Sequence, residues 1–298
     1  MSRIPIAVIP SAGLGVRLVP ATKQQPKEML PIFVKNRKGQ ILLKPVIQVV
    51  FERLFDAGVR EFLFVVGRGK RSIEDHFTVD SGFMNQLKHT AKPHLVEEME
   101  RFYRRVRSSN IGFINQPEPL GFGEAVLRAK AFTVNQDFIV HAGDDLILSP
   151  NPSATFQRLM NSFRTHNADA VFFVHKVKDP TRYGVVEGAE VEHATYRVKN
   201  VEEKPKRPKS NIAIVALYAF NKKIYDHIKK PNARTHQLEL TNAIQDLIDS
   251  GGNVYALQLT PNETRLDVGT PESYWNALRA TMAYTLHSSC LKQSNCKT

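Results

Sequence analysis

The sequence predicts an α/β fold built on a mostly parallel sheet, and three observations carry that prediction. Short runs rich in Ile, Val and Phe alternate with segments of helical periodicity from the N-terminus to about residue 176. Those runs are apolar throughout rather than alternating in polarity, a pattern that suits strands covered on both faces. After residue 176 the strand-like runs shorten and polar turns separate them, as in an antiparallel layer. The expected architecture is therefore a Rossmann-like, mostly parallel sheet flanked by helices, with a smaller antiparallel layer packed on it.

Taken in order, Ile4–Pro10 reads as a buried strand that runs into the glycine loop Ser11-Ala12-Gly13-Leu14-Gly15. Over Pro45–Ala57, Val46, Ile47, Val50 and Leu54 mark one helix face, and Gly58 supplies the stop. Arg60–Gly67 holds a second strand, Phe62-Leu63-Phe64-Val65-Val66, and Ser72–Phe77 a short helix. Between Ser81 and Ser109, Leu95, Met99, Phe102 and Val106 recur at helical spacing opposite Glu97, Glu98, Arg101, Arg104 and Arg105. This predicts an added amphipathic helix, either solvated or used for subunit contacts. Ile111–Asn115 is a strand, Gly123–Phe132 a helix, and Phe138–His141 a strand ending at Gly143-Asp144-Asp145. A helix over Ala154–Phe163 and a strand over Ala168–His175 complete the first half. Tyr183–Glu187, Tyr196–Val201 and Asn211–Phe220 read as strands of the second, with helices over Leu238–Asp249 and Glu272–Leu286. No Pro/Gly/Ser linker separates the halves, so 1–298 reads as one domain made of 1–176 and 177–298.

Of the 298 residues, 42% are hydrophobic and 23% charged, which excludes global disorder. No apolar run nears the roughly 20 residues that span a bilayer. The N-terminus lacks the apolar core and cleavage site of a signal peptide, so a cytoplasmic protein is expected. Cys290 and Cys296 fit neither a disulfide framework nor a zinc site. The formal charge of +12 is uneven, because Met1–Lys44 holds eight basic residues against the single acid Glu28. Such a field suits nucleic acid, an acidic membrane surface or a small polyphosphate. A single-strand binder needs aromatic residues among its basic ones, and only Phe102-Tyr103 beside Arg101, Arg104 and Arg105 offers them. The local motif has to choose among the three.

In a parallel sheet, ligands bind outside the carboxyl ends of the strands. The loop at 11–15 and the pair Asp144-Asp145 both fall there. Small residues after a strand let backbone N–H groups approach phosphate oxygens, and Arg17, Lys23 and Lys27 bring positive charge to the same place. A lone Gly-x-Gly is as readily a structural turn. Gly13-x-Gly15-x-Arg17, followed ten residues later by Lys27 with Pro20, Pro26 and Pro31 shaping the connection, is much harder to read that way. It matches neither Gly-x-Gly-x-x-Gly nor a P-loop. Read alone, Asp144 could cap a turn, Asp267 could lead into a helix, and Glu203-Lys204-Pro205 could be a solvated turn.

The loop resembles the signature of the sugar-1-phosphate nucleotidylyltransferases. Pro20-Ala-Thr-Lys23-x-x-Pro26-Lys27-Glu28-Met-Leu-Pro31 is most similar to the bacterial and archaeal UTP–glucose-1-phosphate uridylyltransferase group. The resemblance continues through Ser72-Ile-Glu-Asp-His-Phe77, Gln116 with Gly121-x-Gly-x-Ala125, Gly143-Asp144 and Tyr183-Gly-Val-Val186. It extends to Glu203-Lys-Pro205, Ser210–Val215, Leu240-Thr241-x-Ala-Ile244 and Leu266-Asp267-Val-Gly-Thr-Pro271, in the family's order. It implies attack of a sugar-1-phosphate oxygen on the α-phosphorus of UTP, with glucose 1-phosphate as acceptor and pyrophosphate leaving. The nucleophile is already anionic, so alignment and charge neutralisation carry the reaction.

By the same resemblance, Arg17 and Lys27 hold the triphosphate, with Arg17 nearest the leaving group. Ala12, Gly13, Leu14 and Gly15 supply backbone contacts, and Gln116 and Gly121 face the base. Asp144 and Asp267 share one Mg2+ ion, while Gly184, Glu203, Lys204 and Asn211 contact the sugar and its phosphate. The antiparallel layer would be the sugar side. The implied partners are small molecules, with no nucleic acid or membrane, in a homo-oligomer (dimer or tetramer). Departures from the family pattern are Val16 for Thr, Ala216-Leu217-Tyr218 for Gly-Arg-Tyr, Gln237 and Asn242 where acids are usual, and no lysine after Gly269. The second of these is nearer the thymidylyltransferase branch, which leaves dTTP as an alternative donor. A catalytically dead nucleotide-sugar regulator would not need Arg17, Lys27, Asp144 and Asp267 together.

Overall fold

The computed structural model describes residues 5–133, 136–229 and 237–293, with side chains in the last helix to residue 286. Ile4, Cys296 and the side chain of Cys290 lie outside the described residues. The strands are β1 (Ile6–Ser11), β2 (Pro31–Lys35), β3 (Ile41–Pro45), β4 (Glu61–Gly67), β5 (Asn110–Gln116), β6 (Phe138–His141), β7 (Asp145–Leu148), β8 (Ala170–Lys176), β9 (Gly184–Glu192), β10 (Thr195–Glu203), β11 (Ile212–Phe220), β12 (Val254–Gln258) and β13 (Thr264–Asp267). The helices are α1 (Val46–Asp56), α2 (Arg71–His76), α3 (Ser81–Thr90), α4 (Pro93–Arg107), α5 (Phe122–Arg128), α6 (Lys130–Thr133), α7 (Pro152–Thr165), α8 (Ile224–His227), α9 (Leu240–Asp249) and α10 (Pro271–Gln293).

Nine strands form one sheet in the order β5-β4-β1-β6-β11-β8-β12-β10-β9. From β5 to β6 every pairing is parallel. β11 then inserts antiparallel between β6 and β8, and β10 pairs antiparallel with both β12 and β9. The antiparallel strands of the second half thus continue the same sheet edge to edge. Two short pairs, β2–β3 and β7–β13, stand beside it.

The apolar runs are explained by two cores on opposite faces. Ala7 and Ile9 of β1 join Phe62, Phe64, Ile139, Val171 and Phe173 in one core, under α1, α4 and α7. Ile6 and Val8 join Leu63, Val65, Phe138, Val140, Phe172 and Val174 in the other, under α5 and α9. A strand buried on both faces has no place for alternation.

Several expectations need correction. The segment 81–109 is two helices, because Pro93 has no N–H and restricts Lys92 to extended backbone (ψ 140°) before α4 begins. Glu98 is buried rather than on the charged face, where it accepts from Lys44 at 2.6 Å, while Leu95 is exposed. Phe102 and Tyr103 are core residues at 0% and 5% exposure and offer nothing to a nucleobase. Part of the N-terminal basic excess is also consumed. Lys44 sits buried between Glu52 (2.7 Å) and Glu98 (2.6 Å), and Lys38 pairs with Glu97. Around the glycine loop stand Arg17, Lys23 and Lys27, of which Lys27 pairs with Asp144. Among the described residues no helix is long and apolar enough to cross a membrane.

Candidate active site

Adjacent strand ends assemble the site. Ser11 lies beside Val66, and Gly67 beside Gln116, so the ends of β1, β4 and β5 stand side by side. Gly67 is required there: a Cβ would come within 2.7 Å of the Ala12 carbonyl oxygen. On the other flank of β1, a Cβ at Gly143 would collide with the Ser11 hydroxyl and come 3.2 Å from Glu28 Cγ. Within the loop, Gly15 adopts φ +65°, and its carbonyl accepts from Thr22 Oγ1 at 2.8 Å and from Leu18 N–H at 2.9 Å. Leu14 is exposed, and Gly13 lies over Lys27, whose Cε would be 3.7 Å from an added Cβ.

Beneath the loop lies a charge network of alternating sign. Lys27 Nζ pairs with Asp144 Oδ2. Glu28, buried next in sequence, pairs with buried Lys70 at 2.7 Å. Burial alone would push the Lys27 ammonium down, but Asp144, Glu28 and Asp267 together hold it above its ordinary range. Burial likewise opposes ionisation of Asp144, yet Lys27 keeps that carboxyl below its usual value. On the far side, Arg265 donates to Asp145 Oδ2 at 2.8 Å, approaches Asp267 Oδ1 at 3.9 Å and lies 5.1 Å over the Tyr183 ring.

Asp144 and Asp267 come together because β7 and β13 pair with Asp145 opposite Asp267, and Val268 N–H donates to the Asp144 carbonyl at 3.0 Å. The Asp267 carboxyl is raised, first by burial and then by the charges of Asp144 and Asp145. Arg17 belongs to the same corner: a Cβ on Gly269 would lie 2.8 Å from Asp267 Oδ2 and 3.1 Å from Arg17 Nη2. Arg17 is exposed and has no ion-pair partner among the described residues. Its guanidinium is free to take an anion.

These groups open onto a cleft of about 300 Å³ whose walls include Arg17, Asp144, Asp267, Gly184, Glu203 and Lys204. Glu203 accepts from Thr241 Oγ1 at 2.7 Å and pairs with Lys204 at 2.6 Å. Gly184 sits against both, with Thr241 Oγ1 3.0 Å and Glu203 Oε2 3.2 Å from a hypothetical Cβ. Gln116 and Gly121 stand outside this cleft, past Phe122 on its wall. Ala12 is buried at the β1 end. Asn211 is not brought in; it is exposed, and its carbonyl accepts from Val177 N–H. Among the departures, Ala216 and Tyr218 line the cleft, whereas Leu217 is in the core and Asn242 on the surface.

The cleft is also lined by Arg265 and Glu239, which stand in none of the motifs, and by Asp145, Tyr183, Tyr218 and Thr241, which stand in them without a role of their own. Strand alternation could have found one of them, since Arg265 and Asp267 share a face of β13. Among the described residues no group of three or more His, Cys, Asp or Glu could hold a metal ion. The available donor set is two carboxylates, which suits a hard dication that fills its remaining positions with phosphate oxygens and water. Burial does most to raise Asp267, and the repulsion from Asp144 and Asp145 that adds to it is what such an ion would relieve.

Comparison with known proteins gives the family and the fold. The profile of the family described as nucleotidyl transferase matches residues 6–283. A UTP–glucose-1-phosphate uridylyltransferase from Staphylococcus epidermidis is 34% identical over 291 residues, covering 96% of this chain and 94% of that protein. The crystal structure of an apo UDP-glucose pyrophosphorylase superposes with a TM-score of 0.83 at 26% identity, covering 95% of this chain and 99% of that one. A UTP-bound UGPase from Acinetobacter baumannii gives 0.79 at 28% identity, with 99% of each chain covered.

Proposed function

The chain belongs to the nucleotidyl transferase family, and from that premise we propose that it transfers a uridylyl group from UTP to glucose 1-phosphate, giving UDP-glucose and pyrophosphate. The observation that carries the reading is the convergence of Arg17, Lys27, Asp144 and Asp267 at one set of strand ends beside a cleft. An oxygen of the sugar phosphate forms a bond to the α-phosphorus. The bond from that phosphorus to the bridging oxygen breaks, and pyrophosphate leaves with its electrons.

In this reading Lys27 and Arg17 neutralise the triphosphate, with Arg17 on the side of the leaving pyrophosphate. Ala12, Gly13, Leu14 and Gly15 offer backbone groups to the nucleotide, and Gln116 and Gly121 meet the base. Gly184, Glu203 and Lys204 orient the hexose phosphate, Glu203 as a hydroxyl acceptor and Lys204 as a point charge. Asn211 stands outside the cleft and is not assigned a contact. Nucleotidyl transferases are generally metal-dependent. Asp144 and Asp267 would hold Mg2+, which when bound supplies positive charge to the phosphate oxygens of both substrates. The same reading makes the protein a cytoplasmic homo-oligomer, dimer or tetramer, of single-domain subunits acting on small molecules.

Ala216 and Tyr218, from the stretch that is nearer the thymidylyltransferase branch, line the cleft, so dTTP is the competitor to test. Pyrophosphate release is followed with UTP or dTTP against a panel of sugar 1-phosphates. Turnover should be highest with UTP and glucose 1-phosphate. Equal rates with dTTP would refute a uridylyl-specific enzyme, and no turnover with any pair would refute the reading.

A further inference from the structure

Gln116, the residue assigned above to the base edge, holds an amide that cannot turn over. Its Nε2 donates to the Gly121 carbonyl at 3.1 Å and to Glu124 Oε2 at 2.6 Å. A carbonyl oxygen accepts and cannot donate, and an ionised carboxylate is likewise acceptor-only, so the amide nitrogen must face them. The reversed amide would set oxygen against two oxygens. Gln116 is 4% exposed and Glu124 7%, which makes that repulsion expensive.

Both acceptors are themselves fixed. Glu124 Oε1 takes a hydrogen bond from Arg128 Nε, one helical turn on, at 2.5 Å. Gly121 is clamped against the chain at Leu238: Leu238 N–H donates to Leu120 O, and Gly123 N–H to Leu238 O, each at 2.7 Å. A Cβ on Gly121 would lie 2.7 Å from that same Leu238 oxygen. The other end of the amide is free. Gln116 Oε1 has no donor among the described residues and retains solvent exposure.

We infer that Glu124, held by Arg128, is a positioning residue for base selection: it obliges Gln116 to present an acceptor, which admits bases with a ring imide N–H and disfavours cytosine, whose corresponding ring nitrogen is an acceptor. Uracil and thymine meet that requirement equally, so the device defines a class of base and leaves the sugar of the nucleotide unselected. The inference rests on the nucleotidyl-transfer reading and on Gln116 meeting the base.

The test compares kcat/KM for UTP and CTP, with glucose 1-phosphate fixed, in wild type, Glu124→Met and Glu124→Gln, with thermal melting as the check on folding. In Glu124→Met the UTP-to-CTP ratio should fall about tenfold, the scale of one hydrogen bond, with the UTP loss in KM rather than kcat. Glu124→Gln has the same shape and should give a smaller fall, because its neutral amide can face Gln116 either way. It carries the test if the Met variant does not fold. A ratio unchanged in a folded variant overturns the role of Glu124. A wild type that fails to turn over UTP overturns the underlying reading instead, so the two failures are distinguishable.

Discussion

Lys27 is the residue on which the site's electrostatics turn, because its charge meets Asp144 directly and acts on Asp267 as well. In Lys27→Ala, Asp144 loses its ion-pair partner, and Asp267 loses one of the two cations, with Arg265, that act on it. The expected result is a large rise in KM for UTP together with a rate loss of about 10²–10³, the scale of one preorganised charge contact; unchanged steady-state kinetics at limiting and saturating UTP would remove Lys27 from the mechanism. Asp144→Asn should cost a similar factor without altering the far-ultraviolet circular dichroism. At this scale the sequence pointed to Arg17, Asp144, Asp267, Gly184, Glu203 and Lys204, which the structure brings to one cleft, and to Lys27, which pairs with Asp144 at its edge. Arg265 is in no motif, and Asp145 and Thr241 were quoted without a role, because each works through a neighbour from a distant strand or helix, and a linear motif does not display such pairings.

Among the elements, α5 and its contact with Leu238 decide how Gln116 is held. Gly121→Ala puts a Cβ at φ +108° against a backbone oxygen that has nowhere to go. It should cost about 2 kcal/mol or more in urea denaturation and raise KM for UTP, because the Gly121 carbonyl orients Gln116. The α2 end makes a second, pH-dependent prediction. His76 stacks on Phe102 at 4.9 Å, bonds Gln48 at 3.0 Å, and burial lowers it from an ordinary 6.5 to about 4. Between those values the unfolded chain takes up a proton that the folded chain refuses, so stability is complete above pH 6.5 and falls on acidification. Wild type should lose about 2 kcal/mol between pH 6.5 and 5 through this group, and His76→Phe should flatten that slope. A slope identical in the variant would show that His76 is not the titrating group. Strands buried on both faces were legible because their composition is unbroken. The split at Pro93 and the β2–β3 hairpin were missed, the first because Leu95, Met99, Phe102 and Val106 all follow Pro93 and mark α4 alone, with no such pattern over α3. The hairpin escaped because the basic turn from Asn36 to Gln40 reads as surface, with Gly39 at φ +82° as its one local signal.

For the molecule as a whole, the charge of +12 is a poor guide to the site, since buried Lys44 and the paired Lys38 contribute to the total without facing a ligand. What matters is how the sheet distributes its edges. Parallel strand ends from β5 to β6 carry the glycine loop and the Gln116 amide. The antiparallel continuation brings Gly184, Glu203 and Lys204 to the same cleft, and the β7–β13 pair stitches Asp144 to Asp267 at the boundary. The two halves therefore meet at one cleft; under the proposed function, removing the divalent ion with EDTA should abolish turnover while leaving the fold intact by circular dichroism. Mn2+ titration followed by electron paramagnetic resonance, in the presence of UTP, tests this junction most directly. One bound ion per chain is expected in wild type, lost or greatly weakened in both Asp144→Asn and Asp267→Asn; binding that survives unchanged in either variant would contradict a shared ion.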